Sequence, residues 1–320
     1  MNSNDPVIVA FLAIIPVYII IGCGWMARRF SWLQPEHEPP IMRIAIDLCY
    51  PCLVLSSMFG NDMLRSPVFS LQAAGLGFSG VILGICASWC VAKIIGLKVG
   101  TGLRTFSLSA GVQNYGFFVI PIVAVLYTAP GNPMMGILMT HNTGCELAVW
   151  TVGLIVLSGG VKKLSPKIFL RGPLIAVVLG LLMVWTRADE YLAPAPVKQT
   201  LQMLGNCTIP LCVFLFGTTM YNSWKEVSWN PKTLLSGLLV RLGIAPALIL
   251  LLAWLLPISI ELKQIMVLQA AIPSAMVPVI IARQFGGHPG MAMQITLMTT
   301  FVSFITLPLW LAFGFKYIAI

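Results

Sequence analysis

The chain has 320 residues, of which 58% are hydrophobic and only 9% charged, and its mean hydropathy is +0.92. A soluble domain carries about 25% charged residues, so these figures exclude a soluble enzyme, a disordered chain and a nucleic-acid binder and point to an integral membrane protein. The formal charge of +9 reads as basic residues gathered in loops on one membrane face.

At ~20 apolar residues per crossing, the length holds about ten helices, and the continuous apolar runs exclude a β-barrel. The ten predicted spans cover 6–28, 41–60, 67–95, 102–127, 132–158, 172–188, 197–221, 233–256, 260–284 and 289–316. Span 1 ends in Arg28-Arg29. A signal peptide carries its positive charges before the apolar run, so this reads as a retained helix. Span 2 contains Asp47 and Pro51, and span 4 contains Gly111, Gln113, Asn114, Tyr115, Gly116 and Pro121. Span 5 carries a polar stripe of His141, Asn142, Thr143 and Glu146, with Asn142 and Glu146 one helical turn apart. Arg241 lies about eight residues into span 8, deep enough to be a partner for Asp47 or Glu146. Span 9 is interrupted by Pro273, Ser274 and Pro278.

Fourteen of the nineteen Lys and Arg fall on the side that span 1 reaches first, among them Arg28, Arg29, Lys93, Arg104, Lys162, Lys163, Lys167, Arg171 and Lys225. The positive-inside rule then places both termini outside the cytoplasm, with the plasma (inner) membrane as the expected location.

An internal repeat accounts for the length. Pro51 and Pro210, Asp47 and Asn206, Arg28 and Arg187, and Arg104 and Lys263 are each 159 residues apart. Residues 1–160 and 161–320 are therefore expected to be two five-helix repeats. An odd helix number inverts the second repeat, an arrangement typical of secondary transporters. At the same offset Asn114 meets Pro273, so spans 4 and 9 are interrupted at matched positions. Proline removes a backbone donor and glycine relaxes the chain. Both spans are expected to break near mid-membrane and cross. A half-helix N-terminus exposed there suits a carboxylate.

The text of these spans resembles the auxin efflux carrier family of membrane transporters. The resemblance is carried by Ala271-Ile272-Pro273-Ser274-Ala275, Ile281-Ala282-Arg283-Gln284-Phe285-Gly286 and Ser303-Phe304-Ile305-Thr306-Leu307-Pro308. Gln113-Asn114 with Gly116 and Pro121, Pro51, Pro210 and Arg171-Gly172-Pro173-Leu174-Ile175 add to it. It implies an all-α fold of ten helices in two inverted repeats, crossing broken helices 4 and 9, and organic-anion substrates such as small carboxylates or auxin-like weak acids. No long cytoplasmic loop interrupts the chain, so it is closest to the compact members. Members often carry Asn shortly after the span 9 proline, where this chain has Val277 and Pro278.

The expected function is alternating-access transport of a small organic anion, with a channel or transporter-like ligand sensor as the alternative. Candidate substrate residues are Gln113, Asn114, Tyr115, Pro121, Asn142, Pro273, Ser274 and Pro278. Asp47, His141, Glu146 and Arg241 are ionisable groups within spans, which default to coupling or structural roles. Proton or sodium coupling and a homodimer stay open. Enzymatic activity is not expected, because no nucleophile–base pair or metalloprotease signature is present. Cys49 and Cys52 sit mid-helix without a thioredoxin-like strand pattern, and the eight cysteines form no disulfide framework. Three scattered histidines make no zinc site, and no phosphate-binding glycine loop is present. No metal, cofactor or nucleic acid is expected.

Overall fold

The computed structural model describes residues 6–129, 131–160, 172–224 and 227–319. The basic residues Lys162, Lys163, Lys167, Arg171 and Lys225, used above for orientation, lie outside the described residues. In chain order the helices are α1 (Pro6–Arg29), α2 (Pro35–Met58), α3 (Pro67–Ile94), α4 (Leu103–Gly111) and α5 (Val119–Leu126). α6 is Met134–Ala148 and continues through a π-helical turn, Val149–Gly153, into Leu154–Ser158. Then come α7 (Gly172–Trp185), α8 (Ala195–Ser223), α9 (Pro231–Leu255), α10 (Ile260–Ala271), α11 (Val277–Phe285) and α12 (Pro289–Tyr317). α1, α2, α3, α8, α9 and α12 are long and apolar enough to cross a membrane.

Local chemistry explains where the helices begin. Pro67, Pro231 and Pro289 occupy first-turn positions, where a missing N–H costs nothing. The Ser66 hydroxyl accepts from Phe69 N (3.3 Å), and Asn230 Oδ1 accepts from Lys232 N (3.0 Å) and Thr233 N (3.2 Å). These side chains satisfy N-terminal donors that have no partner inside the helix. The same proline logic starts α2 at Pro35, six residues ahead of the expected start at 41.

Two of the expected spans are split. α4 and α5 have 9 and 8 residues, and α10 and α11 have 12 and 9. At 1.5 Å per residue each covers only ~12–18 Å of a hydrocarbon core ~30 Å thick.

Helices pack where side chains are absent. Gly144 of α6 faces the Ala74 carbonyl of α3, Gly77 of α3 faces the His141 carbonyl, and Gly84 faces the Gly111 carbonyl at the end of α4. In the same way Gly24 of α1 sits on the Phe214 backbone of α8, and Gly217 of α8 sits on Ile21. Lipid tails are as apolar as leucine, so helix association depends on such close backbone approach rather than on escape from water. α1 packs on α8 from the other half of the chain, and α7 packs reciprocally on α2. Among the described residues there is no strand beyond one isolated antiparallel bridge, Gln113 with Ser274. That bridge lies at the centre of the site.

Candidate functional site

The two interruptions form because their residues oppose a helix. α4 stops at Gly111, and Val112 is extended (φ −93°, ψ 120°). α10 stops at Ala271, and Ile272, the residue before Pro273, is extended (φ −78°, ψ 153°), as steric conflict with the proline ring demands. Pro278 then occupies the first turn of α11.

Backbone groups released from helices inside a membrane need partners, and the two stretches supply them to each other. Asn114 N donates to Pro273 O (2.8 Å), and Ala275 N donates to Val112 O (3.0 Å). α12 supports the crossing: Ser274 N donates to Thr299 Oγ1 (3.2 Å), and Thr296 Oγ1 donates to Ala275 O (3.0 Å). α6 supports it from the other side, where Asn142 Nδ2 donates to Tyr115 O (2.8 Å) and Asn142 Oδ1 accepts from Gln269 Nε2 (2.7 Å).

A cavity of about 660 Å³ opens against this crossing, within the usual range for small-molecule sites. Gly116, Phe117 and Pro121 bring the N-terminal end of α5 to its wall, and Ala275, Met276 and Val277 bring that of α11. Asp47 and Tyr50 of α2, Glu146, Trp150 and Thr151 of α6, and Thr208, Cys212 and Thr219 of α8 complete much of the polar and aromatic lining. Among the described residues the wall has no Lys, Arg or His. The donors it can offer an anion are the backbone N–H groups at the two helix N-termini. The Nδ2 group of buried Asn114 has no hydrogen-bond partner, while its Oδ1 accepts from Phe117 N (3.0 Å). Glu146 is half-buried and near enough to Tyr50 and Tyr115 to interact with both electrostatically.

The candidate residues divide by position. Asn114, Tyr115, Pro121, Asp47 and Glu146 line the cavity. Gln113, Asn142, Pro273, Ser274, Pro278, His141 and Arg241 do not, although Gln113, Asn142, Pro273 and Ser274 build the crossing behind its wall. His141 is buried with Nδ1 3.7 Å from Cys145 Sγ. Asp47 pairs with Arg43 (3.4 Å) in an exposed i,i+4 bridge rather than with Arg241. Arg241 donates instead to backbone carbonyls.

Sequence reasoning missed Tyr50, Trp150, Thr151, Thr208 and Thr219 in the wall, and Gln269, Thr296 and Thr299 behind it. The wall residues carry a helical signal: Met42, Ile46 and Tyr50 lie four apart on α2, and Glu146 and Trp150 lie four apart on α6.

The chain matches the family model described as Membrane transport protein over residues 9–167 and 160–311. It is 25% identical over 304 residues to an uncharacterised transporter of Methanothermobacter thermautotrophicus, covering 93% of this chain and 96% of that protein. An uncharacterised transporter of Methanocaldococcus jannaschii is 22% identical over 314 residues, covering 92% and 95%. Auxin efflux carrier component 8 of Arabidopsis thaliana is 25% identical over 122 residues, or 38% of this chain and 32% of that protein.

Proposed function

The chain belongs to the membrane transport protein family, to which the auxin efflux carriers are related, and is a multi-pass membrane transporter rather than an enzyme; from this premise we propose that it moves a small organic anion by alternating access. The observation that carries the reading is the convergence of two half-helix N-termini, α5 and α11, on a cavity that has no basic side chain among the described residues, beside the unpartnered Nδ2 of Asn114. Converging N-termini favour a carboxylate, and Asn114 has a donor to give it. The largely apolar wall, with Phe117, Phe216 and Trp150, suits a carboxylate with an apolar body, such as an auxin-like weak acid. Glu146 is the candidate proton-coupling group, because it is the half-buried carboxylate of the wall.

In this reading the chain crosses the membrane ten times as two inverted five-helix repeats, 1–160 and 161–320, with both termini outside the cytoplasm. The 159-residue offset supports it: moved by that offset, the interruption at 112–118 falls on 271–277 and encloses the one at 272–276. The reciprocal packing of α1 on α8 and α7 on α2 supports it as well.

Counterflow of radiolabelled mono- and dicarboxylates and indole acids in proteoliposomes tests the function, with Asn114→Ala as the site variant. A loss of about one hydrogen bond to a charged group, ~1.5–3 kcal/mol, predicts a ten- to hundredfold fall in transport efficiency. Wild-type rates in that variant with every transported anion would remove Asn114 from the site.

A further inference from the structure

Among the described residues Arg241 is the largest fully buried side chain, with none of its surface exposed. It sits in a π-helical turn of α9, Val240–Ile244, which α12 pins through Trp310 Nε1 donating to Leu242 O (2.7 Å). Single π-helical turns inside α-helices often mark functional positions. The guanidinium reaches the crossing from behind: Nη2 donates to Ala270 O (3.0 Å), and Nη1 approaches Gly111 O (3.5 Å). Its Nε is buried without a partner.

Neither acceptor is a carboxylate, yet an unpaired buried charge is costly. The two carbonyls explain what holds it. Gly111 is the last residue of α4, and Ala270 is the last but one of α10. The final carbonyls of a helix lack intrahelical partners, and each C-terminus carries about half a negative charge. Two such ends meet at Arg241, and one guanidinium matches both. The opposite ends of the crossing, at α5 and α11, face the cavity. The cation therefore lies on the side of the crossing away from the cavity wall, which does not include it.

We propose that Arg241 is a tethered counter-cation for the crossing, standing where two converging helix C-termini would otherwise call for a mobile monovalent cation, so that the carrier has no sodium requirement at this point. The consequence for transport rests on the functional reading above; the consequence for stability does not.

The test uses full-length protein purified in detergent, with Tm read in sodium chloride, potassium chloride and choline chloride at equal ionic strength. Wild type is expected to give the same Tm in all three salts. Arg241→Met, which keeps much of the volume and removes the charge, is expected to lose roughly 10 °C, and Arg241→Lys less than half of that. Arg241→Ala opens a space for a small cation, and millimolar methylguanidinium is expected to recover at least half of its loss by mass action, while equal choline recovers none. The proposal is overturned if the Met and Lys variants are equally stable, if wild type is stabilised by sodium over choline, or if no cation improves a folded Ala variant. Should the Ala variant fail to fold, the Met and Lys comparison decides alone. In proteoliposomes, wild-type counterflow should be equal in sodium and choline. If no anion is transported at all, the functional reading fails while the stability series still judges the counter-cation.

Discussion

Replacing Asn142 by Leu removes the strut that ties the first interruption to α10. Asn142 Nδ2 holds the Tyr115 carbonyl at 2.8 Å, and its Oδ1 takes the Gln269 amide at 2.7 Å. Leu fills nearly the same space, so the change deletes two hydrogen bonds without opening a cavity. Hydrogen bonds between membrane helices are worth about 0.6 kcal/mol on average and ~1.7 at most. The larger cost comes from the groups left behind, about 1–3 kcal/mol for each buried polar group without a partner. Gln269 Oε1 already lacks a partner, so Asn142→Leu strands the whole amide together with the Tyr115 carbonyl. The expected loss is about 2–4 kcal/mol, or roughly 4–12 °C in Tm. Gln269→Met alone strands only Asn142 Oδ1 and should cost about 1–2 kcal/mol. The double variant removes both members of the pair and should be more stable than the sum of the singles by about 1 kcal/mol. Thermal unfolding in detergent, followed by tryptophan fluorescence, gives all four corners of the cycle. Additivity within ~0.3 kcal/mol would refute the strut, since it would mean that the pair does not interact across α6 and α10.

Gly144→Leu places a side chain against the Ala74 carbonyl of α3, where even a Cβ has no room, and should cost more than about 3 kcal/mol; Gly75→Ala, whose Cβ meets nothing within 4 Å, should be neutral or stabilising by up to ~1 kcal/mol, and Tm in one detergent separates the two. Glu146→Gln should flatten the dependence of anion counterflow on pH, and pH-independent transport in both wild type and variant would remove Glu146 from coupling. Asp189 is buried and accepts from Gly60 N (2.8 Å), so Asp189→Ala should lose about 1.5–3 kcal/mol. Its neighbour Glu190 bridges Arg65 at 2.8 Å at a 41% exposed position, so Glu190→Gln should cost at most about 1 kcal/mol, as paired Tm measurements would reveal.

Periodicity and punctuation made much of the helical layout legible. The run of apolar residues predicts a first helix over 6–28, and the helix is Pro6–Arg29; glycines and prolines mark the stretches at 112–118 and 272–276 that leave the helix. Other features depend on contacts that no local pattern encodes. The spacing of Asn142 and Glu146 identifies one polar face of α6. It does not reveal that Asn142 is spent on Tyr115 and on Gln269, 127 residues away, while Glu146 reaches the cavity. Arg241 reads as an expensive ion in need of an acid. Its partners are main-chain carbonyls, which every residue carries and which a sequence therefore cannot flag. Thr296 and Thr299 look like ordinary small polar residues of a membrane helix. Their role appears only when the second interruption lies against them.

The contact between α1 and α8 bears on how the chain is made. Gly24 and Gly217 are notched into backbone on the opposite helix, yet Ala195 at the start of α8 follows Arg29 at the end of α1 by roughly 165 residues. At about 5–20 residues per second, α1 waits some 10–30 s after its own synthesis before its partner exists. During that interval its glycine notch faces lipid or insertion machinery, and α2 waits likewise for α7. Closure of this seam is therefore late: α3 and α6 of the first half can already pack on each other, whereas α1 and α2 keep an unfilled seam until α7 and α8 of the second half arrive.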